Sequence, residues 1–533
     1  MNRAEIKMRQ VRELSNILAL ITVLLLGRLI GDNGVTYVIV AMEVYGLMWS
    51  VAGKNISDTL GKQLRGKRNK GQQKNAAQMR RSALIFQLIA GAAGSLLLFL
   101  LAETIAGGIF KVQYSTLLIK VLSPMVLLRS VSSVLLGYFQ GEGSEFPTMV
   151  SDVLRRILIL GFGILFSQIL SGYGEKVSTL LMQSNFTAMY GGVGFAIAVN
   201  LAEILIILFL VVIYRGMCRS DKKSKQDAPF SVAGIFDCIR TLVLGRWPEG
   251  VMGILGVLPV LLGILFIDTS VSEETGILEY GVFAGKYLVL CGIVIALLSF
   301  ITLPVIARIY AGVRREEHKH VKMVFQSGVH IGVVHGIFAS VMAAVMGRPF
   351  GELLCPENAD LLWKMLLEGS SVIAFLSLAL YFGRILQTGG KKVLLLGTAG
   401  IADVVFIIMA LILSTVGKAG IMSLVYGGMI SMFVLCVLLG MLSYAQMRTR
   451  MDWLNVLLVP LGAGSAAGLT GALLVRLLSP HLNALLIIFL ACGIAGIVYW
   501  VILLVLRNFK EQELDVILGG RLLGTIGEML HVY

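Results

Sequence analysis

Six ionisable residues stand inside stretches that are otherwise apolar: Arg28, Glu43, Arg129, Glu203, Lys286 and Asp403. At mid-helix in a bilayer such a group costs roughly 2.5–3.5 kcal/mol on insertion scales, so each is a candidate functional residue. Arg28 closes an apolar run two residues before a turn. There it either snorkels to the headgroups or offers its planar donor fork to phosphate oxygens. Arg129 and Lys286 lie deeper, as cationic cavity residues or as halves of interhelical salt bridges. Lys54, just past the second apolar run, completes the cationic binding candidates. Among the carboxylates, Glu43 has Arg28 or Lys286 as expected partners and Asp403 has Arg384 or a polar neighbour. The alternative for Glu43, Asp403 and Glu203 is ion coupling, in which a proton or Na⁺ drives a cycle. Glu203 follows Asn200, and those two are expected to hydrogen-bond across helices.

The elements that position these residues follow from composition. The 533-residue chain is 57% hydrophobic and 14% charged, with mean hydropathy +0.86. Soluble domains carry about 25% charged residues. Stretches such as Leu84 to Leu101 and Leu485 to Leu506 are charge-free and about 20 residues long, enough to cross roughly 30 Å of hydrocarbon. Continuous runs rather than alternating ten-residue strands predict helices. Fourteen spans are expected near 14–30, 33–53, 82–104, 117–138, 148–170, 187–213, 242–267, 282–303, 323–347, 361–386, 393–414, 421–444, 454–477 and 483–506. The first is not a cleavable signal, since no small-residue cleavage site follows Ile30.

Net charge is +14, but its placement argues against nucleic acid. With the N-terminus inside, the inner connections take nine Lys/Arg at 54–81, seven at 214–246 and five at 308–322, with pairs near 155 and 448. This is the positive-inside rule, with both termini cytoplasmic. The six cysteines are isolated and read as buried hydrophobes. His330 and His335 stand five apart, a spacing that does not put two metal ligands on one helix face, so no metal site is expected. No GxxxxGK[ST] loop is present, which excludes a Walker-type ATPase. No cofactor is expected, nor any enzymatic activity, because no nucleophile–base constellation stands out. Gly91, Gly94, Gly161, Gly163 and the Gly462–Gly471 stretch read as helix-packing positions.

An internal repeat organises the chain. Tyr138-Phe139-Gln140-Gly141-Glu142-Gly143 leaves the fourth span and Ile385-Leu386-Gln387-Thr388-Gly389-Gly390 leaves the tenth, so Gln140 and Gln387 recur at the same place in two six-helix units. Parallel duplication of this kind gives two lobes. The expected divisions are 1–218 (N-terminal lobe), 219–233 (linker), 234–444 (C-terminal lobe), 445–506 (two extra helices) and 507–533, an amphipathic tail on the inner surface.

Several stretches resemble one family, the multidrug/oligosaccharidyl-lipid/polysaccharide (MOP) exporter superfamily. Its polysaccharide-biosynthesis, stage V sporulation protein B and lipid II flippase branch is the most similar. Gly27-Arg28-Leu29-Ile30-Gly31-Asp32-Asn33-Gly34 resembles its "ARLLGAEG" turn, and Leu136-Gly137-Tyr138-Phe139-Gln140-Gly141 its "GYFQG" signature. Thr302-Leu303-Pro304-Val305-Ile306-Ala307 resembles "LVPAIS", and Arg384-Ile385-Leu386-Gln387-Thr388-Gly389 resembles "GILQGLG". Where the family has a "GLPVAIS"-like end to the second span, this chain reads Ala52-Gly53-Lys54-Asn55-Ile56-Ser57, with a lysine and no proline.

The resemblance implies an all-α, MATE-like membrane fold of two pseudo-symmetric six-helix lobes plus two C-terminal helices. It implies a flippase for lipid-diphosphate-linked sugars that works by alternating access in the bacterial cell membrane. The head would meet arginines of the first span in a central cavity, and the protein would act as a monomer whose other partner is the bilayer. Two alternatives stay open. One is a drug or cation antiporter of the same superfamily; the other is a non-transporting scaffold in envelope or spore assembly, which the missing proline keeps in play.

Overall fold

In the computed structural model, residues 3–220, 232–266, 273–449 and 452–509 are described, and among them no strand occurs. Among the described residues, thirteen helices are long and apolar enough to cross a membrane. They account for all fourteen expected spans, because the first, Gln10–Asn69, is 60 residues long. At 1.5 Å per residue that is about 90 Å, enough for two crossings and an extension. The break lies at Gly31, whose φ of 70° and ψ of 174° are non-helical. Only glycine adopts that conformation readily, which is why the turn falls inside Gly-Asp-Asn-Gly.

The chain divides into two units. The N-terminal unit, 21–265 with 272–281, begins within α1 (Arg3–Ala52). It continues through α2 (Ile56–Asn69), α3 (Gln73–Glu103), α4 (Ser115–Leu122), α5 (Pro124–Gly141), α6 (Phe146–Leu181), α7 (Asn185–Ser220) and α8 (Val232–Gly263), and includes most of α9 (Glu273–Val282). The C-terminal unit, 1–20, 266–271 and 282–533, holds the start of α1 and a π-helical turn at Phe283–Tyr287. Its helices are α10 (Leu288–Arg314), α11 (His318–Val345), α12 (Gly347–Leu354), α13 (Ala359–Gly369), α14 (Ser371–Thr388), α15 (Lys392–Thr415), α16 (Met422–Met447), α17 (Val459–Leu478) and α18 (Ala484–Val505).

This division differs from the expected lobes in two places. The helix α8 belongs with the N-terminal unit, where it packs on α2 and α3. Arg246 on α8 donates to the Val51 carbonyl at 2.8 Å, capping the frayed end of α1. Residues 1–20 belong with the C-terminal unit, where Glu13 pairs with Arg384 at 2.7 Å. The linker core, 221–231, and the tail from 510 onward lie outside the described residues.

Inside each unit the repeat recurs as local geometry. The helical hydrogen-bond ladder is interrupted at Ser123 between α4 and α5 and at Ser370 between α13 and α14, while both residues keep helical backbone angles. The second helix of each pair ends into a glycine with positive φ, 84° at Gly143 and 74° at Gly390. The family-like Gly137-Tyr138-Phe139-Gln140-Gly141 has a packing role at the end of the first pair. A Cβ on Gly137 would meet the Ser57 carbonyl at 2.9 Å, and one on Gly141 would meet Leu64 at 2.7 Å. Small residues there let α5 cross α2 closely, and Arg65 and Arg68 of α2 then reach the Gln140 carbonyl and Glu142.

Candidate functional site

The densest polar cluster of the N-terminal unit is built from α5, α6 and α7. Arg129 stands early in α5, Asp152 and Arg155 in the third turn of α6, and Glu203 in the middle of α7. The α6–α7 pair packs along its whole length, and this puts the Glu203 carboxylate beyond solvent, at 0% exposure. A buried carboxylate needs compensation, and three side chains provide it. Arg155 donates through Nε at 2.7 Å, Arg129 through Nη1 at 3.3 Å, and the Ser132 hydroxyl makes a short hydrogen bond. Arg155 also pairs with Asp152 at 2.9 Å, three residues back on its own helix. Tyr45 of α1 lies within electrostatic reach of Arg129, Arg155 and Glu203. With Arg156 beside them, three guanidinium groups face two carboxylates, an excess of one positive charge.

The sequence-predicted residues distribute unevenly. Arg129 and Glu203, expected in opposite roles, are ion-pair partners. Glu203 is saturated by donors, a poor arrangement for taking up a coupling cation. Asn200 does not bond Glu203; its amide donates to the Val121 and Ala196 carbonyls, which its position one turn away favours. Glu43 is electrostatically coupled to Lys54, whose side chain lies against Gly253 of α8. Arg28 is exposed on the surface of its unit. Lys286 is buried in the π-helical turn of the C-terminal unit, and Asp403 lies on α15 of that unit. Arg384 pairs with Glu13, leaving Asp403 Oδ2 buried with no hydrogen bond among the described residues.

By position in the sequence, Arg155 and Arg156 count among the inner-surface basic residues. The structure corrects this: Arg155 is 5% exposed and belongs to the buried network. Asp152 and Ser132 were missed too. The available signal was the spacing Asp152-x-x-Arg155, an i,i+3 ion pair inside an apolar helix. His330 bonds Asn508 at 2.9 Å and His335 reaches the Ile331 carbonyl at 2.8 Å, both packing arrangements. No group of metal-ligating side chains occurs among the described residues.

By sequence, no protein-family model and no curated protein matches the chain. Solved structures do match. The lipid II flippase MurJ, in an inward closed conformation, superposes with TM-score 0.65 at 14% identity over 93% of this chain and 98% of its own. The chain has the fold of the MOP superfamily. An inward-facing multidrug resistance MATE family transporter of that superfamily gives TM-score 0.60 at 14% identity, over 82% of this chain and 96% of that one. A MOP superfamily transporter from Pyrococcus furiosus, described with a binding pocket of reverse polarity, gives 0.53 at 14% identity over 84% and 94%. The MOP fold is all-α and membrane-spanning, as the resemblance of the Gly27–Gly34 and Leu136–Gly141 stretches implied.

Proposed function

We propose that this chain is a transporter that moves amphiphiles with an anionic, phosphate-bearing head across the bacterial cell membrane by alternating access. Lipid-linked oligosaccharide or polysaccharide precursors are the substrate class. The observation that carries this reading is the cationic excess of the Arg129–Arg155–Arg156 cluster, set in two helices long and apolar enough to cross a membrane. A diphosphate-sugar head does not cross hydrocarbon unaided, and fixed guanidinium groups supply the charge that water otherwise would. The flippase superposition also takes in 93% of the chain, against 82% for the MATE transporter. Arg28, Arg129, Lys54 and Lys286 are the cationic candidates for the head. The protein acts as a monomer in the bilayer, with both termini cytoplasmic and no ATP chemistry of its own.

The test is transbilayer movement of a fluorescent polyprenyl-diphosphate sugar in proteoliposomes. Movement above empty vesicles, reduced in an Arg28→Ala/Arg129→Lys variant that still folds, supports the reading. No movement by folded wild-type protein overturns it. One observation favours a second reading, a cation antiporter: Asp403 keeps a buried carboxylate oxygen without a hydrogen bond among the described residues. Efflux of a cationic dye from the same vesicles, without lipid movement, selects that reading. Neither activity leaves a non-transporting scaffold.

A further inference from the structure

Glu43, Ser50 and Lys54 share one face of α1 and of the turn that ends it. At roughly 100° per residue the three positions fall within about 40° of one another. Lys54 stands just past Ala52, and its amide still bonds the Trp49 carbonyl at 3.1 Å. The contacts with α8 fix where each side chain lies. A Cβ on Gly253 would meet the Ser50 hydroxyl oxygen and, at 2.5 Å, the Lys54 Nζ, so hydroxyl and ammonium fill one gap beside that glycine. A Cβ on Gly46 would meet Val257 of α8 at 3.4 Å and Glu43 Oε2 at 4.0 Å, so the carboxylate also lies on the α8 side. The Ser50 hydroxyl donates to the Gly46 carbonyl at 2.8 Å and thus stands between the two charges.

Neither Glu43 nor Lys54 makes a hydrogen bond or an ion pair among the described residues, and both are half-buried. An ionised group in a spanning helix is costly without a countercharge. Lys54 is the charge that acts on Glu43, and Glu43 the charge that acts on Lys54. The other groups of the packed elements are placed differently. On α8, Arg246 donates to the Val51 carbonyl, and Glu249 is engaged with a partner other than Lys54. Tyr280 of α9 bonds the Val260 carbonyl through its hydroxyl. All of these residues belong to the N-terminal unit.

We infer that Lys54 is the built-in counter-ion of Glu43, a covalently held cation in the seam of α1 and α8 where a free monovalent cation would otherwise neutralise the carboxylate. Among the cationic candidates for the head, Lys54 is thereby committed to a carboxylate of its own unit. Removing the ammonium leaves Glu43 uncompensated, and a carboxylate in that condition takes up a proton or an alkali cation from solution. This role of Lys54 does not depend on what the protein transports.

The experiment uses full-length protein in nanodiscs of zwitterionic lipid, melted in choline, sodium or potassium chloride at equal ionic strength, at neutral and at mildly acidic pH. Wild type is compared with Lys54→Gln, Lys54→Arg and the Glu43→Gln/Lys54→Gln double variant. Wild type and Lys54→Arg are expected to melt at one temperature in the three salts. Lys54→Gln is expected to melt lower in choline and to recover with Na⁺, K⁺ or acid. The double variant is expected to melt above Lys54→Gln in choline and to lose that recovery, since both partners are gone. A Lys54→Gln protein that matches wild type in every condition overturns the inference, as does a recovery that persists in the double variant. Should Lys54→Gln fail to fold, the double variant decides: regained folded yield supports the pairing, and an equal failure overturns it. Lipid movement by wild type tests the transport reading separately.

Discussion

Arg155 on α6 reaches Glu203 on α7 at 2.7 Å while the two side chains are 6% and 0% exposed. Removing one partner of a buried ion pair leaves an uncompensated charge, at a cost of about 3–5 kcal/mol, whereas replacing both with apolar groups is often neutral. Arg155→Ala is therefore expected to fold poorly. Glu203→Gln is expected to be destabilised as well, since it removes the negative charge that Arg155 and Arg129 share and replaces one acceptor oxygen with a donor. An Arg155→Met/Glu203→Leu double variant is expected to recover part of the loss, because Arg129 then loses Glu203 and Asp152 loses Arg155. Thermal unfolding in detergent measures this; a double variant as unstable as Arg155→Ala would show that the pair does not act as a unit.

Gly31 gives a prediction of different origin. A Cβ added there would meet nothing within 4 Å, so space does not require glycine. Its backbone does, with φ 70° and ψ 174°. Gly31→Ala is expected to cost about 1–3 kcal/mol, and Gly31→Ser about the same, because the penalty belongs to the backbone. Penalties that grew with side-chain volume, read from the same thermal assay, would contradict this.

The spans were legible in the sequence because lipid forces every backbone group into helices and leaves long apolar runs to mark them. The repeat was legible at Gln140 and Gln387, since each stands in the last turn of its helix and precedes a positive-φ glycine. The unit boundary was not: a polar linker near 219–233 says where chain is solvated, not that α8 packs on α2 and α3. Pairing was equally hidden. Hydropathy ranks Arg155 with the inner-surface cations, and only the rotation of α6 against α7 turns it toward Glu203. Glu43 and Lys54 were each singled out, but their coupling depends on the path of the lysine chain past Gly253.

The α2–α5 crossing separates packing from propensity. Gly137→Val would place a Cβ 2.9 Å from the Ser57 carbonyl, against backbone that has little room to yield. Overpacking of this kind costs about 1–3 kcal/mol. Gly66, exposed on α2, has nothing within 4 Å, and Gly66→Ala is expected to stabilise by about 0.5–1 kcal/mol. Opposite shifts in melting temperature bear this out; a rise in both would mean that the crossing is looser than its contacts indicate.

Asp403 and Glu203 were both candidates for ion coupling, and their surroundings now separate them. Glu203 has Arg129, Arg155 and Ser132 on its oxygens, so its neutral variants act on folding first. Asp403 Oδ2 is buried without a hydrogen-bond partner among the described residues, so an isosteric amide removes its charge and breaks no bond to that oxygen. Asp403→Asn is thus expected to fold at wild-type yield. In proteoliposomes it is expected to lose the response of transport to an imposed proton or Na⁺ gradient while keeping ungated exchange. Measuring transport with each gradient in turn also names the ion. Should the variant respond to both gradients as wild type does, the coupling group is not Asp403, and Glu43, half-buried beside Lys54, becomes the residue to change next.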